Sequence, residues 1–234
     1  MTFLRPSTPH PLAAAAFEPA VEFLRAHLFS RPNASAGAQR YRFEHCLRVA
    51  RVGREVARGE GLDEDLLTLG CLLHDIGKYD AEKDVDHGRA GALVVADFLA
   101  ELGWSPAESA EVVQGIAMHV DGLSNPRGDE HGTDQDAYGR AYLRFDTEPS
   151  ILARSIGECD NVDRFGAYRV YDTMRYVDFL GMSTAEQQEW ISGYLEQLRG
   201  QRKSEYSTAT VTRLWQEAID VQLAYFTRLL AEIS

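Results

Sequence analysis

Apolar side chains in this chain recur at intervals of three and four, and they do not alternate at every second position for more than a few residues. That spacing follows one face of an α-helix and not the pleat of a strand, so the pattern predicts an all-α protein. After a proline-rich arm over residues 1–15, Val21, Phe23, Leu24 and Leu28 place a short amphipathic helix over Pro19 to Phe29. A Ser/Ala/Gly/Asn loop around Arg31 to Ala38 separates it from the body. From Tyr41 to about Arg58, Phe43, Cys46, Leu47, Val49, Ala50, Val52, Val56 and Ala57 form one stripe, with arginines on the other face. Gly59 and Gly61 stop that helix and Asp63 is a natural N-cap. Leu66, Leu67, Leu69, Leu72, Leu73 and Ile76 then carry the next helix into His74 and Asp75, with Gly77 placed to end it.

A charged loop over Asp80 to Asp86 follows, and His87 opens a helix through Ala92, Leu93, Val94, Ala96, Phe98, Leu99 and Leu102, ended by Gly103. Ser105-Pro106-Ala107-Glu108 has the form of a capping box with proline at the first helical position, which predicts a helix through Val112, Val113 and Ile116 to His119. Asp121 to Tyr138 is rich in Gly, Asn, Asp and Pro and reads as a long loop. Its Asp129, Glu130, Asp134 and Asp136 do not fit an EF-hand pattern. From Glu148-Pro149-Ser150 a helix carries Ile151, Leu152, Ala153, Ile156 and Cys159 up to Asp160, Asp163 and Arg164. Further helices are expected over Tyr168 to Leu180, Thr184 to Leu198 behind the N-cap Ser183, and Thr208 to Ile233. No internal repeat appears.

With 234 residues, 44% of them hydrophobic and 26% charged, the chain has an ordinary globular composition and is long enough for one sizeable core. The expectation is a single-domain helical bundle: an arm and short helix at 1–35, then a helical domain at 36–234 with its core at 40–170 and C-terminal helices at 171–234. No apolar run reaches the roughly 20 residues of a membrane span, and prolines 6, 9 and 11 interrupt any signal-peptide core, so a cytoplasmic protein without a membrane partner is expected. A net charge of −12 offers no global basic field for large nucleic acids. Bound divalent cations would reverse that sign locally, which leaves small phosphorylated molecules as partners. Cys46, Cys71 and Cys159 are odd in number and lack C-x-x-C spacing, which reads as helix packing and not as a disulfide framework or zinc ribbon.

The chemistry centres on His74-Asp75. Neighbours on a helix lie about 100° apart, so both side chains can turn into one cavity while Leu69, Leu72, Leu73 and Ile76 anchor the core. Imidazole with carboxylate is a mixed donor set suited to a divalent transition metal: Mn, Fe, Co, Ni or Zn, with Mg also open. His45, His87 and His119 fall on or at the mouths of three other predicted helices and Asp160 on a fourth. Donors contributed one per helix are how an all-α bundle builds a central metal site. His10, His27 and His131, in an arm, a first helix and a loop, are read as ordinary surface or packing residues.

The ordered runs His45-Cys-Leu-Arg-Val-Ala, Leu66-Leu-Thr-Leu-Gly-Cys-Leu-Leu-His74-Asp75-Ile-Gly-Lys78 and Asp160-Asn-Val-Asp163-Arg164 resemble the H…HD…D signature of the HD-domain metal-dependent phosphohydrolases. Asp86-His87-Gly-Arg-Ala-Gly91-Ala and Gly115-Ile-Ala-Met-His119 further resemble the extra histidine segments of the two-metal subgroup. HD-GYP cyclic-dinucleotide phosphodiesterases and mixed-valent di-iron oxygenases carry such segments. Val-Asp-Gly-Leu-Ser-Asn-Pro follows His119, without the second histidine and Gly-Tyr-Pro of HD-GYP domains, and so points away from cyclic-dinucleotide cleavage.

The resemblance implies that His45, His74, Asp75 and Asp160 hold one metal and that Asp75 bridges to a second held by His87 and His119, two ions per chain where these two histidines are ligands and one where they are not. It implies hydrolysis of a small phosphoester, a nucleotide or relative, by a metal-activated hydroxide. Asp75 is thus a catalytic candidate as well as a ligand. Lys78 offers a point charge to a phosphate, and Arg164, one turn beyond Asp160, a two-pronged clamp; a surface salt bridge is the plainer role for each. Two other readings stay open: an HD-type di-iron oxygenase and a non-catalytic ligand-sensing module.

Overall fold

The computed structural model describes residues 9–81, 87–120, 145 and 147–234, and among them there are helices and no strands. The all-α expectation holds. The chain divides into two compact units, residues 1–160 and 161–234. The 121–138 loop and most of the 80–86 loop lie outside the described residues, as does His131.

Helix α1 (Ala13–Phe29) begins six residues before the expected Pro19. Ala13, Ala16, Ala20, Leu24 and Leu28 bury one continuous stripe, and Pro19 lies on the exposed face, where water can serve the carbonyl that its missing N–H leaves unpaired. Helix α2 (Ala36–Glu60) is also longer than Tyr41 to Arg58. Ser35 caps it by accepting from the Ala38 N–H, and Gly61, with φ of 68°, ends it in the left-handed conformation that glycine adopts without strain.

Helix α3 (Glu64–Leu73) is capped by Asp63, which accepts from the Leu66 N–H at 3.0 Å. Every residue from Leu66 to Leu73 is buried, so this helix is the axis of the unit. Each leucine withdrawn from water there contributes on the order of 1.5–3 kcal/mol. Its neighbour α2 approaches at Gly53, where an added β-carbon would lie 2.6 Å from the Cys71 sulfur. The expected run of helix into His74-Asp75 is shorter in fact. His74 is the C-cap of α3, and Asp75 starts a tight 3₁₀ turn, Ile76–Tyr79.

Helices α4 (His87–Glu101) and α5 (Pro106–Met118) pack against each other. The predicted capping box is present: Ser105 accepts from the Glu108 N–H while Glu108 accepts from the Ser105 N–H. Helix α6 (Ile151–Arg164) supplies Ile156 and Asp160 to the first unit. In the second unit, α7 (Ala167–Tyr176) stops before the expected Leu180. Asp178 turns into the left-handed region at φ 51° and the short turn Phe179–Gly181 follows. Helices α8 (Thr184–Gln201) and α9 (Ala209–Ile233) enclose Phe179, Trp190, Tyr194 and Phe226, and the Tyr194 hydroxyl donates to Gln222 at 2.7 Å. None of the described helices is long and apolar enough to cross a membrane.

Candidate metal centre

Six predicted ligand residues meet in the first unit: His45, His74, Asp75, His87 and Asp160 are each 7% exposed or less, and the His119 side chain is 2% exposed. His45 comes from the middle of α2, His74 from the end of α3, Asp75 from the turn after it, His87 from the start of α4, His119 from the end of α5 and Asp160 from α6. His45 Nε2 is 3.0 Å from Asp160 Oδ1 and 3.5 Å from Asp75 Oδ2; His74 Nε2 is 3.6 and 3.4 Å from the same two oxygens. On the other side, Asp75 Oδ1 is 3.0 Å from His87 Nε2 and 3.6 Å from His119 Nε2, and these two nitrogens stand 3.1 Å apart. The Asp75 carboxylate thus faces one group of donors with each oxygen.

Backbone contacts set the tautomers. His74 Nδ1 donates to the Cys71 carbonyl at 2.8 Å, and His119 Nδ1 to the Ile116 carbonyl at 2.6 Å. A carbonyl only accepts, so the hydrogen of each neutral ring is on Nδ1 and the Nε2 lone pair points into the cluster. His74 Nε2 is buried without a hydrogen bond of normal geometry. Donors bound at about 2.0–2.1 Å and subtending 90–109° at a cation stand roughly 2.8–3.4 Å apart, close to the separations here. His45, His74 and Asp160, and separately His74, Asp75 and His119, are near enough to share an ion. The donor set, its spacing and the buried lone pair all fit a divalent transition metal.

The electrostatics are those of buried charges in mutual support. Burial would raise the Asp75 carboxyl, but Arg42 and His74 hold it well below the usual carboxylate range; Asp160 is likewise held low against burial by His45 and His74. His74 is raised well above its ordinary value by Asp75 and Asp160 despite burial. Burial lowers His87 to about 4. The Cys46 thiol is pushed up to about 12 by burial and Cys159 is raised by the same cause.

Arg42 is the functional candidate that sequence reasoning missed. One turn before His45 on α2, it bonds Asp75 Oδ2 directly, and Asp75 raises its pKa against the opposing effect of burial. The available signal was its i, i+3 relation to a ligand. Lys78 is half-buried in the 3₁₀ turn, near enough for its charge to bear on His87. Arg164 is the exposed last residue of α6 and falls in the second unit. The histidines read as non-ligands behave so where described: His27 Nε2 pairs with Asp80 at 2.6 Å, and His10 stacks on Trp104.

A curated relative, a deoxyguanosinetriphosphate triphosphohydrolase-like protein of Desulfatibacillum aliphaticivorans, is 32% identical over 133 residues, which is 48% of this chain; the chain spans 38% of that relative's length. A crystal structure of a predicted HD superfamily hydrolase from an uncultured Thermotogales bacterium superposes with a TM-score of 0.59 at 18% identity, covering 94% of each chain, a likeness of fold. Residues 42–164 match the family described as HD domain, within the span of the motif resemblance, and the chain belongs to that family.

Proposed function

We propose that this chain is a metal-dependent phosphohydrolase that acts on a small phosphorylated molecule, a nucleotide or related phosphoester, with two divalent cations. The observation behind this reading is the Asp75 carboxylate, with Oδ2 toward His45 and His74 and Oδ1 toward His87 and His119. His45, His74, Asp160 and Asp75 Oδ2 would hold one cation, and His87, His119 and Asp75 Oδ1 the other. Cations held by these residues would supply an activated hydroxide near neutral pH and charge stabilisation for phosphoryl oxygens. The carbonyls of Cys71 and Ile116 keep the His74 and His119 lone pairs aimed inward, so little reorganisation is needed. Arg42 and Lys78 bring positive charge to the cluster's edge, where each can pair with a phosphate oxygen. The name of the Desulfatibacillum relative supports a nucleoside triphosphate among the candidate substrates.

The test is turnover. Purified protein is reloaded with Mn, Co, Ni, Fe or Mg and offered nucleotides, dGTP included, and simple phosphoesters. Hydrolysis with at least one metal, abolished together with metal binding in Asp75→Ala while helix content is retained, is the expected result. No turnover with any metal would overturn the reading. An iron-specific, oxygen-consuming reaction would replace it with an oxygenase, and tight ligand binding without turnover with a sensor.

A further inference from the structure

His87 and His119 can act as one half of the centre only if α4 starts close against the end of α5. Three consecutive residues of α4 build that approach. His87 puts Nε2 3.1 Å from His119 Nε2. Gly88 lies directly on the carbonyls of α5: a β-carbon added there would be 2.5 Å from the Ala117 oxygen and 3.0 Å from the Ile116 oxygen. Arg89 is buried and donates Nη1 to the same Ala117 carbonyl at 2.8 Å. The Ile116 carbonyl is also the acceptor that orients His119. The first turn of α4 therefore presses on the Ile116 carbonyl that holds the His119 ring and on the adjacent Ala117 carbonyl.

Neither side of this contact has room to yield. Behind α5, a β-carbon at Gly157 of α6 would be 2.9 Å from the His119 Cα. Behind α4, one at Gly77 would be 2.4 Å from the His87 carbonyl and 2.3 Å from the Gly91 nitrogen. Carbon and carbonyl oxygen settle at about 3.3 Å or more, so a methyl group at Gly88 must open the helix pair by roughly 0.8 Å. Metal ligands tolerate about 0.2 Å.

We infer that Gly88 and Arg89 are positioning residues for the second cation: they set the His87–His119 separation without touching the metal or substrate. This rests on the two-cation reading above. Alanine favours helix over glycine, so the helical propensity of α4 would improve in Gly88→Ala and any loss of binding must come from the close approach. Arg89→Met tests the same contact without adding bulk at the helix crossing.

The experiment is Mn²⁺ binding to the metal-stripped full chain, followed by calorimetry and by the spin-coupled signal of a manganese pair. Circular dichroism and the retained first ion report an intact fold. Wild type is expected to bind two ions. Gly88→Ala should bind one and lose the coupled signal, and Arg89→Met should bind the second ion about 10–100-fold more weakly, the range typical of groups that orient ligands. Two ions of unchanged affinity in both folded variants would overturn the inference while leaving the two-cation centre standing. A single ion in wild type would overturn both, because the histidine pair would then hold no ion for these residues to position. Loss of hydrolysis with the stoichiometries as expected would count against the enzymatic reading alone.

Discussion

Replacing Arg42 with methionine should destabilise the metal-free protein and strengthen its hold on metal. Arg42 and Asp75 form an ion pair in which the aspartate side chain is 4% and the arginine side chain 19% exposed. Removing one partner of a buried pair costs about 3–5 kcal/mol because the other charge is left uncompensated. Here His87 Nε2, 3.0 Å from Asp75, can take part of that charge, and Arg42 retains some solvent, so about 2–3 kcal/mol is the better figure. For a chain of this length that is roughly 4–12 °C in Tm. A bound divalent cation would supply the missing charge, and the cost in the loaded protein should fall below about 1 kcal/mol. Thermodynamic closure then requires the difference, about 2 kcal/mol, to appear as roughly 30-fold tighter metal binding. Thermal unfolding in chelator and in Mn²⁺, with calorimetric titration of both proteins, measures every side of the cycle. An equal fall in Tm under both conditions, or weaker metal binding by the variant, would refute the argument.

Stability of the metal-free protein should peak near pH 6.5. Burial holds His87 at about 4, so between about pH 6.5 and 4 the unfolded chain binds a proton that the folded one refuses, and stability falls as the pH drops, by on the order of 3 kcal/mol at most. His74, raised by its carboxylates, contributes stability below about 6.5 that is lost as pH rises through its higher folded value. His87→Asn should flatten the acid limb in a Tm-against-pH series, and an unaltered limb would remove His87 as its cause. In the core, an alanine β-carbon at Gly70 would lie 2.4 Å from Ile156 Cδ1. Gly70→Ala should therefore cost about 1–3 kcal/mol alone and distinctly less with Ile156→Val, which removes that atom. Strictly additive losses in urea unfolding would show that the clash is relieved elsewhere. Ser105→Ala should cost about 1 kcal/mol through loss of the capping box, and no change in midpoint would mean the end of α5 is held by packing instead.

What could be read from the sequence follows from how local its cause is. The capping box at Ser105 and Glu108 and the stripe of α2 are set by neighbours three or four residues away, and each appears where the pattern puts it. The start of α1 at Ala13 lay inside the stretch read as a proline-rich arm, because the buried stripe of Ala13, Ala16 and Ala20 that draws the helix back past Pro19 is made of small residues with a weak apolar signal. The end of α3 was misplaced because His74 Nδ1 turns back to the Cys71 carbonyl, a contact that apolar spacing does not encode. The six clustered residues were legible because the ordered histidines and aspartates recur in a known signature. Arg42 was not, since Arg40, Arg48, Arg51, Arg54 and Arg58 share its helix and only the fold shows which of them reaches Asp75.

The C-caps His74 and His119 set a polarity on the cluster. Helices α3 and α5 both end there, and the free carbonyls at a helix end act as roughly half a negative charge, felt within the last turn. Helix α4 begins at His87 and brings the opposite, positive end of a helix dipole. Burial lowers the basicity of His87, and the helix start works in the same direction, while the end of α3 works with the carboxylates that raise His74. One imidazole of the cluster is thereby biased toward the protonated form and another toward the free base. Ligation by both rings would need the free base of each, a state the surroundings already favour at His87 and oppose at His74.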